Sequence, residues 1–326
     1  MTVQRSSLTY AVIGTGAIGG YYGACLQRAG CTVHFLLHRD YAQVQAHGLR
    51  VESIAGDFAL PQVNAYAHVA DMPPVDVVII GLKTTQNALL KTLLPPLLGP
   101  QTVVLTLQNG LNIEAEIAAI APQSPIFGGL CFICSNKVGP GHIRHLDYGA
   151  IALGAYVPED QPGGVPPQLS AIAADFKAAG IETEVVEDLY MTRWRKLVWN
   201  IPFNSLSVVL NATTQEMMAD PNVRQLAQDL MTEVVAAAAA CGNRGQVQGR
   251  SLPPEIVSQM LDHTATMKPY RTSMKIDYDE GRPLEVEAIL GNPLRSAQAA
   301  GLATPRIDTL YRLVKACDRQ PHRPSP

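Results

Sequence analysis

The chain's first strong pattern is a short apolar run, Leu8–Ile13 (LTYAVI). A run of this length and character predicts a strand. It stops at GTGAIG (14–19), after which Tyr22, Leu26 and Ala29 keep helical spacing and Gly30 closes the segment. Cys31–Leu37 (CTVHFLL) predicts a second strand. The alternation continues with DVVIIG (76–81) and TVVLTL (102–107) as buried strands. Between and after them, Thr84–Leu94 reads as a helix stopped by Pro95-Pro96, and 112–120 as another helix. Residues 125–155 are Gly-rich with short apolar runs and predict further strands. The stretch 158–167 reads as a loop, Gln168–Ala179 as a helix and Glu182–Val186 as a strand. Buried strands alternating with helices predict an α/β unit with a doubly wound parallel sheet.

The texture changes after Val186. Residues 189–210, 222–241, 254–266, 283–300 and 305–317 all carry helical spacing, and no strand-type run follows. Two domains are therefore expected, 1–187 with the sheet and 188–326 all-helical. The Pro-rich tail RQPHRPSP (319–326) is expected to be disordered.

Composition narrows the function. With 326 residues, 47% hydrophobic and 16% charged, the chain has the balance of a globular protein and not of a disordered one. A net charge of −3 and 6% aromatics leave no basic, base-stacking surface, so nucleic acid is not expected as a partner. The polar start MTVQRSS is no secretory signal, and the charge-free stretch 117–136 is interrupted by Pro122, Pro125, Gly128 and Gly129, which makes it a poor membrane span. Six scattered cysteines suit a reduced, cytoplasmic protein. Cys131 and Cys134 form a CxxC without a second Cys or His pair, so no metal is expected and the two read as strand residues facing a core.

The glycine turn carries the first chemistry. GTGAIG follows a strand and precedes a helix and a second strand, the context a dinucleotide-binding Rossmann fingerprint requires. Gly14 serves the tight turn, Gly16 the approach of a pyrophosphate, and Gly19 the packing of helix on strand; Ala17 and Ile18 complete the turn at the helix N-terminus, which favours an anion. The end of the second strand selects the cofactor. Arg39 there suits a 2′-phosphate and favours NADPH, while Asp40, one residue on, would suit the free ribose hydroxyl of NADH. Lys83 and Asn109 follow strands at their C-terminal ends, where ligands of open α/β sheets bind. Asn109 also precedes Gly110, and Asn-Gly is a common turn pair.

The helical half carries the second. In RWRKLVWNIPFN (193–204), Lys196, Asn200 and Asn204 fall on one helical stripe amid Leu197, Trp199, Phe203 and Leu206. Two amides and an ammonium among apolar neighbours need partners, and a polar substrate supplies them. Pro202 lies between the asparagines and predicts a kink. Later, Pro283 fits the first position of a helix and Glu285 its first turn, where periodicity alone reads the carboxylate as dipole compensation.

GTGAIGG (14–20), GLKTTQ (81–86), LQNGLN (107–112), RWRKLVWNIPFN (193–204), RTSM (271–274) and PLEVEAILGNPLRSA (283–297) together resemble the ketopantoate reductase (2-dehydropantoate 2-reductase) family over nearly the whole chain. The resemblance implies a Rossmann domain joined to a helical domain like that of 6-phosphogluconate dehydrogenase. It implies NADPH-dependent reduction of 2-dehydropantoate to (R)-pantoate, a step toward pantothenate and coenzyme A. By position, Lys196 matches the family's catalytic lysine, and Asn109, Asn200 and Asn204 its active-site amides. Ser273 matches a substrate contact and Glu285 the active-site glutamate; Asn109 and Glu285 are assigned to the cofactor as well. Ser205 departs from the pattern, since many members have proline there. A homodimer through the helical domain is the expectation carried by the wider superfamily. Two other functions stay open: a related dehydrogenase acting on another 2-keto acid, and a nucleotide sensor without catalysis, which would have no use for Lys196 beside two amides.

Overall fold

The structure is a computed structural model and describes residues 8–158, 161–243 and 248–319. The chain divides into two compact units. The first holds Met1–Gln108 and Ile113–Leu189; the second holds Tyr190–Pro326 and, unexpectedly, the four residues Asn109–Asn112.

The first unit begins β1 (Thr9–Ile13), α1 (Ala17–Arg28), β2 (Thr32–Leu36), as the pattern predicts. It continues with α2 (Tyr41–His47), β3 (Leu49–Ser53), β4 (Phe58–Leu60), β5 (Asn64–Tyr66), β6 (Val77–Ile80), α3 (Leu90–Leu93), β7 (Val103–Thr106) and α4 (Ile113–Ile120). The long strands β8 (Ile126–Gly139) and β9 (His142–Ala155), then α5 (Pro167–Ala178) and β10 (Thr183–Val186), complete it. The sheet runs β4-β3-β9-β8-β7-β6-β1-β2-β5, with β10 paired to β9. It is parallel from β8 through β5. The antiparallel pairs are the β8–β9 hairpin and β3–β4, so the sheet is mixed at that end. Every residue of β6 and β7 is buried, as central strands covered on both faces require. Tyr10, Val12, Phe35 and Phe176 anchor the core of this unit.

Two local readings change, and a third holds. Residues 84–94 are not one helix: a 3₁₀ turn over Thr84–Leu89 gives way to a single α-turn, α3, and a second 3₁₀ turn over Pro95–Leu97. The buried Asn87 bonds to Gln108 and Glu116, and Thr84, Thr85 and Asn87 are weak helix formers, so side-chain bonding competes with the helix. Residues 41–66 carry one helix and three short strands where the pattern predicts nothing; their half-exposed positions give no clear period. Cys131 and Cys134 are buried strand residues as expected, on one strand although three apart. The hairpin is irregular between Phe132 and Ile133, where its register shifts past Gly149.

The second unit contains α6 (Leu189–Val209, its first residue counted with the first unit), α7 (Thr214–Ala219), α8 (Pro221–Gly242), α9 (Ile256–Thr266) and α10 (Ser273–Asp279). A π-turn (Glu287–Gly291) leads into α11 (Asn292–Ala299), and α12 (Pro305–Asp318) ends the described chain. Trp194, Leu197, Val198, Ile201 and Phe203 of α6 pack in its core with Leu230, Met231 and Val234 of α8. The helix α6 continues through Pro202. The helix expected from Pro283 begins later. Leu284 gives its N–H to the Asp318 carboxylate at 2.9 Å, and the first helical residue is Val286. Glu285 therefore precedes the helix rather than lying in its first turn, and its carbonyl accepts the Ile289 N–H at 3.1 Å. From residue 320 onward the tail expected to be disordered lies outside the described residues.

Candidate active site

In the first unit the glycine turn has the expected construction. Gly14 takes φ +92°, and a side chain there would strike the Leu82 backbone N at 2.5 Å. A methyl group on Gly19 would meet the Gly14 carbonyl oxygen at 2.4 Å, so α1 rests directly on the turn. Gly16, the residue capping α1, faces open space within 4 Å of its missing Cβ. A cradle of backbone with an open middle position at a helix N-terminus fits a dinucleotide pyrophosphate. Ala17 and Ile18 form the first turn of that helix.

Around this turn stand residues that patterning does not find. Ser135 of β8 donates to the Ala17 carbonyl at 3.2 Å, and the Lys137 ammonium donates to the Thr15 carbonyl at 3.3 Å. Lys137 also pairs with Asp40 at 2.6 Å. The Asp40 carboxylate accepts the Gly141 N–H at 3.1 Å and is buried. Arg39 beside it is exposed. Lys137 gives no signal in sequence because a single lysine on a strand has no pattern.

The ends of β6 and β7 are tied together by amides. Gln108 donates to the Leu82 carbonyl at 2.9 Å and to Asn87 Oδ1 at 2.6 Å, and accepts from Thr106 at 3.0 Å. Asn87 in turn donates to Glu116 at 2.7 Å. A buried network with its members satisfied fixes geometry. Here it fixes Leu82, and with it the half-buried Lys83 next in the chain.

The second unit collects the other candidates. Lys196, half-buried on α6, donates to Asn109 Oδ1 at 2.7 Å. The strip that carries Asn109 is held by the turn after Glu285. Leu111 donates to the Ala288 carbonyl at 2.9 Å, and Asn292 donates to the Leu111 carbonyl at 2.7 Å. Asn112 reaches Ser296 at 3.2 Å. Gly110, at φ +112°, leaves no room for a side chain, since a Cβ would sit 2.4 Å from the Ala288 oxygen. The Asn-Gly pair is thus a turn, and the turn presents the amide to Lys196.

One and two turns further along α6, Asn200 and Asn204 are both buried on the stripe with Lys196. The Asn204 side chain accepts the Met274 N–H in a long contact of 3.5 Å. Its carbonyl accepts from Ser207, which bonds to Thr272 at 2.8 Å, the residue capping α10. This chain sets the half-buried Ser273 at the start of α10, one residue before Met274. Glu285 is buried. Lys196, Asn109, Asn200, Asn204, Ser273 and Glu285 therefore all belong to one unit. Gly14, Gly16, Ala17, Ile18, Gly19, Arg39 and Lys83 belong to the other.

A glycine-turn α/β unit followed by an all-helical unit bearing a lysine among amides is the plan of a two-domain oxidoreductase. The chain belongs to the ketopantoate reductase family: the family model "Ketopantoate reductase PanE/ApbA" matches residues 10–158, and the model of its C-terminal part matches 188–318. The curated 2-dehydropantoate 2-reductase of Nostoc sp. is 58% identical over 309 residues, 95% of each chain. The crystal structure of 2-dehydropantoate 2-reductase from Geobacter metallireducens superposes with TM-score 0.88 at 41% identity, covering 95% of this chain and 99% of that one. That from Methylococcus capsulatus gives TM-score 0.85 at 35% identity, covering 95% and 96%. The enzyme is an oxidoreductase of the 2-dehydropantoate 2-reductase type. No helix among the described residues is long and apolar enough to cross a membrane.

Proposed function

We propose that this protein reduces 2-dehydropantoate to (R)-pantoate with NADPH, in the cytoplasm, on the way to pantothenate and coenzyme A. The observation that carries the reading is the 2.7 Å hydrogen bond from Lys196 to Asn109, on the same helix face as Asn200 and Asn204. Support for a cofactor with a 2′-phosphate comes from the end of β2, where Arg39 is exposed and Asp40 is already engaged by Lys137 and Gly141.

The nicotinamide, when bound, supplies the hydride that adds to the ketone carbon. Negative charge then grows on the ketone oxygen, and Lys196 is assigned to meet it as both cation and proton donor. An ammonium has three N–H donors. Asn109 accepts one and so fixes the direction of the other two. Asn200, Asn204 and Ser273 are assigned to the substrate carboxylate, and Glu285 to its terminal hydroxyl. Gly14, Gly16, Ala17, Ile18 and Gly19 are assigned to the pyrophosphate, Arg39 to the 2′-phosphate, and Lys83 with Asn109 and Glu285 to the rest of the cofactor.

The test is oxidation of NADPH with ketopantoate, with the analogue that keeps its branching but lacks the hydroxyl, and with pyruvate. A site built to bond a hydroxyl rejects the analogue lacking it, because a buried partner is stranded. The deoxy analogue should show kcat/KM lower by at least ~10-fold, about 1.4 kcal/mol. Equal reduction of all three acids would remove the pantoate assignment and leave a general 2-keto acid reductase. No oxidation with any of them would remove the proposed reaction.

A further inference from the structure

We infer that Lys137 is a positioning residue for cofactor choice: it withdraws Asp40 from the ribose site and so leaves Arg39 as the charge that reads the nucleotide. The inference rests on the reading of the glycine turn as an NADPH site and concerns how that site rejects NADH.

An acidic side chain at the end of the second strand ordinarily bonds the free 2′-hydroxyl of NADH and repels a 2′-phosphate. This chain has such a residue, Asp40, directly after Arg39. Its carboxylate is only 9% exposed and does not face solvent as Arg39 does. The same oxygen, Oδ2, meets Lys137 Nζ at 2.6 Å and the Gly141 N–H at 3.1 Å. Lys137 is placed for this by the long strand β8. Its ammonium also donates to the carbonyl of Thr15, inside the glycine turn, at 3.3 Å. One side chain thus joins the turn that would hold the pyrophosphate to the acid that would otherwise read the ribose. Removing the ammonium while keeping the carboxylate leaves a buried charge without its partner, which is strongly unfavourable. The carboxylate would turn toward water, as the side chain of its neighbour Arg39 already does. There it would repel a 2′-phosphate and accept from a 2′-hydroxyl.

The experiment titrates the full-length protein with NADPH and with NADH, following the fluorescence of the bound nucleotide, so the readout is a pair of dissociation constants and not turnover. Lys137→Met keeps the stem and removes the charge. It should lower the ratio Kd(NADH)/Kd(NADPH) at least ~10-fold, with NADPH weakened and NADH unchanged or tightened. Lys137→Met combined with Asp40→Asn should return the ratio to near that of the unmodified protein, since the offending charge is gone. A merely structural lysine would weaken both nucleotides alike and leave the ratio unmoved, and that result overturns the inference. A double variant that keeps the low ratio of Lys137→Met also overturns it, because the effect would not run through Asp40. Melting curves of both variants establish that they fold, and a Lys137→Met protein that does not is replaced by Lys137→Gln with the same expected ratio. An unmodified protein that binds NADH as tightly as NADPH overturns the NADPH reading itself and the inference with it.

Discussion

The Nζ of Lys196 lies 2.7 Å from Oδ1 of Asn109, although the two residues are 87 positions apart. Asn109 follows β7 in sequence, yet its strip of four residues clusters with the helical unit. The strip is held there by backbone and amide bonds to Ala288 and Asn292. The lysine therefore receives an orienting acceptor from the loop after β7.

Lys196→Ala should fold and bind NADPH nearly as the unmodified protein does, while turnover falls by at least ~10²-fold, the low end for loss of a general acid. Asn109→Ala should have a smaller effect. A hydrogen bond to a charged group contributes ~1.5–3 kcal/mol, so kcat should fall about 10- to 100-fold with the lysine still present. Steady-state kinetics beside nucleotide titration separate the two. An Asn109→Ala enzyme as slow as Lys196→Ala would mean that the amide does more than orient the ammonium, and normal turnover in Lys196→Ala would remove the lysine from the reaction.

Arg39→Ala should weaken NADPH by ~1.5–3 kcal/mol, the scale of a charge-assisted hydrogen bond, and leave NADH nearly unchanged. Because Asp40 is held by Lys137 and Gly141, losing Arg39 does not by itself create an NADH site. Isothermal titration with each nucleotide checks this. Equal losses for both would place Arg39 outside the 2′-phosphate site.

The sequence pattern reaches as far as its physical signals do. GTGAIG between two strands, the buried runs VVII and VVLT, and the stripe Lys196–Asn200–Asn204 are periodic or bounded, and each stands where the pattern puts it. Lys137, Gln108 and Thr272 act through bonds to residues far along the chain. No spacing announces such a bond. The helix expected at Pro283 starts instead at Val286. There the Leu284 N–H goes to Asp318, a partner that local preference cannot anticipate. Residues 41–66 fail for a different reason, since the edge strands β4 and β5 are three residues long and too short to set a period.

Gly110→Ala should be costly in two measurements at once. The residue sits at φ +112° with the Ala288 oxygen 2.4 Å from the position of a Cβ. Strain of this kind costs on the order of 1–3 kcal/mol. Denaturant unfolding should show a loss of at least about 1 kcal/mol, the lower end of that range. Turnover should drop further than stability accounts for, because moving the turn moves Asn109 away from Lys196. A variant destabilised but fully active at low temperature would separate the turn from the chemistry.

Acidification should lower stability in two windows with different causes. Burial holds the imidazoles of His34 and His145 below their usual value of 6.5. His145 has Ser53 Oγ at 2.8 Å from Nδ1 and the Tyr148 carbonyl at 2.9 Å from Nε2, so a neutral ring donates from Nε2 and accepts at Nδ1. The unfolded chain takes up these protons more readily than the folded one, so their contribution is complete above about 6.5 and is lost as pH falls below it. Glu287 defines the second window. Burial opposes its ionisation, but hydrogen bonds from Lys315, Tyr311 and Arg295 prevail and hold its carboxyl down to about 2, against 4.5 unperturbed. Its contribution is complete above 4.5 and is lost as pH falls toward 2. With about half of the side chain exposed, solvent screens much of that contribution, and added salt should shrink it. Melting temperatures followed from neutral pH downward should therefore fall first through the histidine window and again below 4.5. Glu287→Gln should flatten the lower limb and leave the upper one unchanged. A variant whose curve runs parallel to that of the unmodified protein across the lower limb would show that the Glu287 cluster contributes nothing to stability.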